Sequence, residues 1–426
     1  MPLKIIICGG GIGGLSAAGY LRAKHDVTVL ERGTLDFDVN DYGLSVVSNS
    51  FNLLQKAGIK LENLDTVVMT HVWTRGPDNT ELRTMHFDTR ARFGGAPSVL
   101  VKRAKLQKEL LRFATSTDFP GKPTEVIQNA KVTRVDAPAG KVWTENGQSF
   151  EGDLIVGADG IYSVVRGAVL GGQNIASSIT CHNAMTFMTQ LSVEDIRSDP
   201  SFAYFSDPKT QAGLLAAHGR SGPELNRRIL SYHTSPNTLQ VVGYTDEREY
   251  SEKFDSTKTA IIRDIPVSRV VEDFGPEFGD SLVNLFRHNK IDAWRIRSVA
   301  PLDTWVFGKA VLIGDAAHAV SPHAGQGCNI TIEDAEALGY LLSDVQNRDT
   351  IPAALEKFMS LRKDRVDFVA RRSREIGNIR TDEDKTKELI TADEFARTIY
   401  TYQGAEQALK ASKASASDAG TIALNQ

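Results

Sequence analysis

Lys4-Ile5-Ile6-Ile7-Cys8-Gly9-Gly10-Gly11-Ile12-Gly13-Gly14 is the stretch that decides the fold of this chain. Ile5 to Cys8 is an apolar run the length of one buried strand. The glycines after it fit G-x-G-x-x-G, with Gly9, Gly11 and Gly14 in the three glycine places. Leu15 to Ala23 reads as a helix, small and apolar on its packing side. Val27-Thr28-Val29-Leu30 reads as a second strand, with Glu31 at its end. Strand, glycine turn, helix, strand and acid in this order make a βαβ opening suited to a dinucleotide. Gly9 permits the tight turn, Gly11 lets a pyrophosphate touch backbone, and Gly14 lets helix and strand pack closely. The helix N-terminus offers unpaired N–H groups and a positive dipole end to phosphates. Glu31 can accept hydrogen bonds from an adenosine ribose. The glycines alone would describe any Gly-rich turn; the flanking elements in register set this stretch apart.

The length, 426 residues, is too great for one ordinary core, so about two domains are expected. A formal net charge of −4 gives no sign of a nucleic-acid partner. Cys8, Cys181 and Cys328 lie far apart and form no C-x-x-C, which suits a reducing compartment without structural disulfides and offers no metal site. The N-terminal apolar run is too short for a signal peptide, and no stretch approaches a membrane span. The last residues, Leu424-Asn425-Gln426, match no peroxisomal or prenylation signal. Cytosolic residence, away from membranes, is the expectation.

Beyond Arg32 an acidic loop runs to Tyr42. Gly43 to Val47 reads as a strand, and Ser48-Asn49-Ser50 as caps for a helix from Phe51 to Lys56. Val67 to Phe87 has a β pattern with a turn at Gly76-Pro77-Asp78-Asn79. Val99 to Arg103 leads into a helix from Ala104 to Ala114. Val132–Val135 and Lys141–Trp143 form a hairpin followed by the turn pair Asn146-Gly147. Asp153 to Val156 is a buried strand that delivers Gly157-Ala158-Asp159-Gly160, then Ser163 and Arg166. From Ile179 to Val271 strand-like segments dominate: Met185–Leu191, Ala203–Phe205, Gly213–Ala217, Arg228–His233 and Leu239–Thr245. They imply an antiparallel sheet in a second domain. Helical pattern returns near Val270 and from Leu282 to Phe286. Ala310 to Ile313 is another buried strand. It leads to Gly314-Asp315 and, after Ser321-Pro322-His323-Ala324-Gly325-Gln326-Gly327, to a long helix starting near Asn329. A further helix spans Ile351 to Ile376. After Leu409 the chain is rich in Ala, Ser and Lys, the composition of a disordered tail.

Three motifs in order, Gly9–Gly14 with Glu31, Asp159-Gly160 with Arg166, and Gly314-Asp315 with Pro322 and Gly325-Gln326-Gly327, resemble those of single-component, class A flavin monooxygenases of the salicylate and para-hydroxybenzoate hydroxylase type, including fungal relatives from secondary metabolism. The resemblance runs from Lys4 to about Gly377. Lys102-Arg103-Ala104, Trp305-Val306-Phe307-Gly308 and Leu361-Arg362-Lys363-Asp364-Arg365 add to it. It implies an α/β fold: a Rossmann-like FAD-binding domain with an inserted antiparallel β-sheet substrate domain and C-terminal helices. Its implied parts are FAD-binding segments 1–66, 99–178 and 272–345, an inserted hairpin 67–98, a β-rich substrate domain 179–271, C-terminal helices 346–409 and a disordered tail 410–426.

The resemblance also implies roles. Gly9, Gly11, Ile12, Gly13, Gly14, Glu31 and Arg32 would hold the ADP half of FAD. Arg103 would lie along the pyrophosphate and ribityl chain, and Asp315 would bind a ribityl hydroxyl. Pro322, Gly325, Gln326, Gly327 and Asn329 would border the isoalloxazine. Asp159 and Arg166 match the motif implicated in both FAD and NAD(P)H contact. By resemblance Asp41 corresponds to a region near the flavin ring. Read from the residues alone, Asp159 and Asp315 serve as helix caps, Arg166 as a surface arginine, His318 as a structural hydrogen-bonder, and Asp41 equally as a surface loop residue. The acidic run Asp36-Phe37-Asp38-Val39-Asn40-Asp41-Tyr42-Gly43 departs from the family, which commonly carries an arginine there that aids flavin movement.

The implied chemistry is a monooxygenase cycle. NAD(P)H reduces FAD, and reduced flavin with O₂ forms a C4a-hydroperoxide that hydroxylates or epoxidises an electron-rich aromatic or indole-like molecule. A base would activate a phenolic substrate. Tyr204, His218, Tyr232, His233 and Tyr244 lie on the middle strands. Tyr232 and His233 are singled out because they sit mid-strand where the family's roof strand faces the flavin. Core or surface side chains of the sheet are the competing reading for all five. A flavin reductase that inserts no oxygen is the alternative enzyme. A flavin-free dehydrogenase would leave Gly314-Asp315 and Gly325-Gln326-Gly327 unexplained, and nothing supports a non-enzymatic flavoprotein. Substrate identity, NADPH against NADH and oligomeric state are not legible.

Overall fold

Ile5, Ile6 and Ile7 are fully buried, as a strand covered on both faces must be. In the computed structural model, which describes residues 1–38, 41–172, 175–207, 211–221, 227–250, 261–345 and 347–413, Lys4–Cys8 is a central strand of a six-stranded sheet. It pairs in parallel with Asp26–Leu30 on one side and Leu154–Gly157 on the other. Glu125–Ile127 and Ala310–Leu312 extend the sheet in parallel, and Val306–Phe307 closes one edge antiparallel. The chain therefore leaves the first strand at a point where its neighbours belong to opposite directions of winding. An open α/β sheet leaves a crevice there. The helices Ile12–Leu21, Arg103–Thr115 and Gly327–Leu342 cover this sheet.

Among the described residues there are three further sheets, one of eight strands and two of three. The eight-stranded sheet orders Ile261–Ile265, Ile291–Val299, Ile179–Ser192, Thr238–Asp246, Arg228–Ser235, Gly213–His218, His71–Arg75 and Glu81–His86. It is antiparallel throughout except where Gly213–His218 meets His71–Arg75 in parallel. One face packs a second apolar core of Phe187, Phe205, Phe274 and Phe286 under the helices Val267–Phe274 and Asp280–Asn284. The other face turns toward the six-stranded unit.

Several local expectations change. The large sheet continues past Val271, because Ile291–Val299 pairs along Ile179–Ser192. Val67–Val68 leaves the hairpin and joins Val99–Lys102 in a small sheet. Ala203–Phe205, expected as a strand, follows the 3₁₀ turn Pro200–Phe202, which Asp199 caps by accepting the Ser201 N–H at 2.9 Å. Ser48, Asn49 and Ser50 are no caps: the helix starts at Ser48, all three are buried, Asn49 donates to Glu333, and Ser50 donates to Asn329 and the Val47 carbonyl. A helix at Ala392–Tyr400, within the stretch expected to hold C-terminal helices and opened by the capping box of Thr391 and Glu394, follows the long helix Ile351–Ile376. Residues 405–413 are helical, and the rest of the expected tail, 414–426, lies outside the described residues. Val39 and Asn40 of the acidic loop lie outside them too.

Candidate active site

Backbone builds the first part of the site. Gly9 sits at φ +107°, and a Cβ there would meet the Ala158 carbonyl oxygen at 2.4 Å. At Gly14 an added Cβ would lie 1.9 Å from the Gly9 oxygen, the close approach expected of helix and strand. Gly11 differs: nothing of the protein lies within 4 Å of its Cβ position. That space is the cradle a pyrophosphate needs, so the loop fits the group. Glu31 steadies the turn, accepting the Gly10 N–H at 2.6 Å and the Gly33 N–H at 2.9 Å. Arg32 beside it is exposed on the same chamber.

Three chambers follow one another along the crevice. The first, about 480 Å³, is bordered by Gly9–Gly11, Glu31, Arg32 and Asp159. The second, about 300 Å³, lies among Gly11–Gly13, Arg103, Gly314 and Asp315. Gly11, Arg103, Ala158 and Gly160 belong to both walls. The third, about 520 Å³, opens between the loop Pro322–Gly327 and the inner face of the large sheet. It shares Leu44, Asp315, Gly327 and Cys328 with the second. The motifs thus line one continuous trough.

Arg103 stands at the first junction. The acidic loop places it: Asp41 Oδ1 accepts the Ala104 N–H at 2.8 Å, and the Tyr42 carbonyl accepts the Arg103 N–H at 2.9 Å. Asp41 is thus a helix-capping group. Burial lowers the Arg103 pKa while Cys328, Asp315 and Asp41 oppose the shift. Asp159 Oδ2 accepts the N–H groups of Val164 and Val165 at 2.7 and 3.2 Å, capping the helix Val164–Val169. Its Oδ1 is buried without a hydrogen-bond partner on the first chamber, and burial raises its pKa. An orphaned acceptor at that place fits a hydroxyl or amide donor of a bound dinucleotide. Asp315 opens into the cavity yet is walled by protein, which raises its pKa against the pull of His318 and Arg103.

Arg166, Asn329 and His233 are turned away from the trough or tied to protein, and Tyr232 faces it with its hydroxyl engaged. Arg166 is fully buried and off the trough, donating to Ser178 Oγ at 3.0 Å, the Ala316 carbonyl at 3.0 Å and the Ile161 carbonyl. It is neither a surface arginine nor a wall of the site; it ties the Asp159 turn to the Asp315 helix. Asn329 is also spent on protein. Its Oδ1 accepts the Val47 N–H at 2.9 Å and the Ser50 hydroxyl, and its Nδ2 donates to the Ser45 and Gly325 carbonyls at 3.1 and 3.0 Å. His233 points to the far face of the sheet, where its ring lies 4.6 Å from Phe205. Tyr232 does face the third chamber, but its hydroxyl donates to the Gly43 carbonyl at 2.8 Å and burial raises its pKa. Period-two alternation allows only one of two successive strand residues to face the cavity. Of the other base candidates, Tyr244 lines the chamber. Tyr204 donates to Asn79 Oδ1 at 2.9 Å on the opposite core, and His218 is exposed at the strand end.

The inner face of the large sheet is mostly apolar: Met188, Leu214, Leu230 and Val242 surround Tyr232 and Tyr244. His323 borders the same chamber. Arg228 Nη2 approaches its Nδ1 at 2.7 Å, and burial, Arg228 and His182 push its pKa down to about 3. The chamber is thus lined by groups that stay neutral at neutral pH, apart from Asp315.

Behind the Gly314-Asp315 turn lies a charge network built on Arg362 and Arg365 of the stretch Leu361–Arg365. Arg362 is fully buried and meets Asp334 and Glu333, each at 2.8 Å. Arg365 adds a 2.6 Å pair to Glu333, and Asn49 donates to the same carboxylate. Asp334 Oδ2 accepts from Gly314 N–H at 2.9 Å and from His318 at 2.6 Å. Burial works against both acids, yet Arg365 and Arg362 hold Glu333, and His318 and Arg362 hold Asp334, below the ordinary range. His318 is therefore a structural hydrogen-bonder. Glu333 and Asp334 were missed because they sit mid-helix, where acids ordinarily face water. The arginines at 362 and 365, one turn apart, were the available signal.

Comparison with known proteins agrees with this layout. The family model described as FAD binding domain matches residues 3–373. Hispidin-3-hydroxylase of Neonothopanus nambi is 31% identical over 380 residues, 88% of either chain. The FAD-dependent monooxygenase andE of Emericella variicolor is 25% identical over 415 residues, 91% of this chain and 82% of its own. Klebsiella pneumoniae HpxO complexed with FAD and uric acid superposes with a TM-score of 0.73 at 21% identity, covering 94% of this chain and 97% of that one. A salicylate hydroxylase substrate complex gives 0.69 at 20%, covering 88% of each. The chain belongs to the FAD-binding family and is a class A flavin monooxygenase with the Rossmann-like fold of that class. Its cofactor is FAD and its co-substrate NADPH or NADH. Monooxygenation thus stands in place of the reductase alternative.

Proposed function

We propose that this enzyme hydroxylates a small electron-rich aromatic molecule held in the third chamber, with FAD laid along the other two. The continuous trough from Glu31 to the inner face of the large sheet carries this reading. Gly9 to Gly14 and Glu31 would hold the ADP half, with Arg32 on the rim. Arg103 would neutralise phosphate charge, Asp159 Oδ1 would take a donor, and Asp315 would accept from the ribityl chain. When bound and reduced, FAD supplies the electrons that activate O₂.

The protein's own contribution is placement and dryness. Met188, Leu214, Leu230 and Val242 exclude water from the reacting ring. The helix Gly327–Leu342 presents its N-terminal backbone and positive dipole end where the second and third chambers meet. His323 stays neutral beside Arg228, and Tyr232 keeps its proton toward Gly43. Neither offers a strong base at neutral pH, and a substrate electron-rich in its own right suits such a chamber. Tyr232 and Asn329 act here as braces, Arg166 as a tie between the two acidic turns, and His233 as a core residue. Cytosolic residence is part of this proposal, and the widely spaced cysteines suit it; no helix among the described residues is long and apolar enough to cross a membrane.

Labelled oxygen tests the reading. With FAD-loaded protein and an aromatic substrate, one atom from ¹⁸O₂ should enter product for each NAD(P)H oxidised. Label arriving from water, or turnover without oxygen, would reject it.

A further inference from the structure

Beyond the third chamber lies a fourth, about 680 Å³, between the strand Glu81–His86, the short helix Thr89–Phe93 and the helices Ile351–Ile376 and Ala392–Tyr400. Phe87 and Tyr400 line both the third and the fourth. Their rings meet edge to face at 5.9 Å, and Tyr400 leans on Phe93 at 5.4 Å. The two aromatics therefore form the waist of a two-part cavity, apolar inside and charged outside.

The outer part carries an excess of positive charge. Arg83, Arg92 and Arg372 border it against Asp88 and Asp393. Asp393 is taken by Arg92 and by Arg397, at 2.5 and 2.6 Å. Asp88 Oδ1 caps its helix through the Ala91 N–H. Arg83 has no carboxylate partner among the described residues; its side chain reaches only Met85 Sδ, at 3.9 Å. Arg372 shares Glu375 with Arg371 at long range, 3.4 and 3.5 Å, and its Nε is buried without a partner. An anion placed here would meet two underused guanidinium groups.

Resting on the reading of the third chamber as the substrate site, we propose that the substrate is an elongated phenol with an acidic far end. Its ring lies in the third chamber, Phe87 and Tyr400 clasp its middle, and its carboxylate or equally acidic group lies beside Arg83 and Arg372.

Three probes separate the possibilities: phenol, 4-hydroxycinnamate and the methyl ester of 4-hydroxycinnamate. Each is titrated into the FAD-loaded full-length protein without NAD(P)H, and binding is read from the flavin difference spectrum. The acid should bind about tenfold or more tighter than its ester, the effect of one charge-assisted hydrogen bond. Arg83→Gln with Arg372→Gln should abolish that preference and leave phenol and ester unchanged, whereas Arg372→Lys should retain part of it. Tyr400→Ala should weaken both long probes by a larger factor than phenol. Equal affinity for acid and ester, or a preference that survives the double substitution, overturns the proposal. So does a double variant that raises the KM for NAD(P)H alone, since the arginines would then serve the nucleotide. If phenol itself leaves the flavin spectrum untouched, the third chamber is not the substrate site and both readings fall together.

Discussion

The glycine loop at Gly9–Gly14 and the inner face of the large sheet border the same trough, yet they are built on opposite principles. The loop holds its ligand by what is missing: the empty space beside Gly11 and the close approach at Gly14. The sheet shapes its chamber by what is present, alternating side chains from Met188 to Tyr244. A site made from absent side chains tolerates few residue types, so its sequence is nearly fixed by geometry. One made from a pleated surface accepts any apolar residue of suitable size. The first kind announces itself in a sequence, and the second does not.

The largest expected effect lies behind the loop side. Arg362→Ala leaves Glu333 and Asp334 buried with Arg362's charge removed, which costs about 3–5 kcal/mol for a broken buried pair. The loss should appear in urea unfolding of the FAD-free protein. Gly314 should loosen with it, because Asp334 holds its N–H. A drop below about 1 kcal/mol would show Arg365 and His318 compensating on their own.

Asp315→Ala comes next. Losing one charge-assisted hydrogen bond should weaken FAD binding by about 1.5–3 kcal/mol, roughly ten- to a hundredfold. Isothermal titration of the apoprotein reads this directly. Unchanged affinity would leave Asp315 as no more than the first residue of the short helix Asp315–His318.

Legibility followed the same division. The first strand, the glycine turn, Glu31, the strand Ala310–Leu312 and the helix Ile351–Ile376 were all readable, because buried strands and long amphipathic helices impose local patterns. The places of Asp159 and Arg103 on the trough were readable only in outline. Asp159 serves as both cap and cavity acceptor with its two oxygens, which the residue type alone cannot separate. The strand Ile291–Val299 was missed: one partner, Ile179–Ser192, lies about a hundred residues away in sequence, and the other, Ile261–Ile265, was not read as a strand either. Asn329 looks like a ligand in the sequence because it stands beside a glycine loop, whereas its side chain spends four hydrogen bonds on protein groups.

Histidines on the sheet side give the third test, through pH. Burial lowers His233 from the ordinary 6.5 to about 4, despite backbone hydrogen bonds that oppose it. Below pH 6.5 the unfolded chain takes up a proton that the folded protein refuses. Stability is therefore complete above 6.5 and falls as the pH drops, levelling off below about 4 once both states are protonated. The slope is at most about 1.4 kcal/mol per pH unit for this residue. His233→Phe should flatten the fall in Tm between pH 6 and 5 by that share, whatever it does to Tm at pH 7. An unchanged slope would place the acid sensitivity elsewhere, with His323 the next group to replace.

Tyr232→Phe carries the smallest effect and makes the finest distinction. The side chain borders the third chamber, so a catalytic role and a packing role both fit its position. They differ in what happens when only the hydroxyl is removed. As a general base, Tyr232 would contribute about a hundredfold or more to kcat, and the pH–rate profile would lose a limb. As a brace, it contributes one hydrogen bond to the Gly43 carbonyl, worth about 1 kcal/mol of stability. Gly43 itself packs so tightly under the sheet that a Cβ there would meet Thr234 Cγ2 at 2.1 Å and Tyr232 Cε2 at 2.8 Å. The phenylalanine ring would keep that packing, so the strand Gly43–Val46 should hold its place. The expected outcome is a kcat within about threefold of the parent, an unaltered pH–rate profile, and a stability loss near 1 kcal/mol. A collapse of kcat with stability intact would reverse the assignment and make this tyrosine the group that takes the substrate's proton.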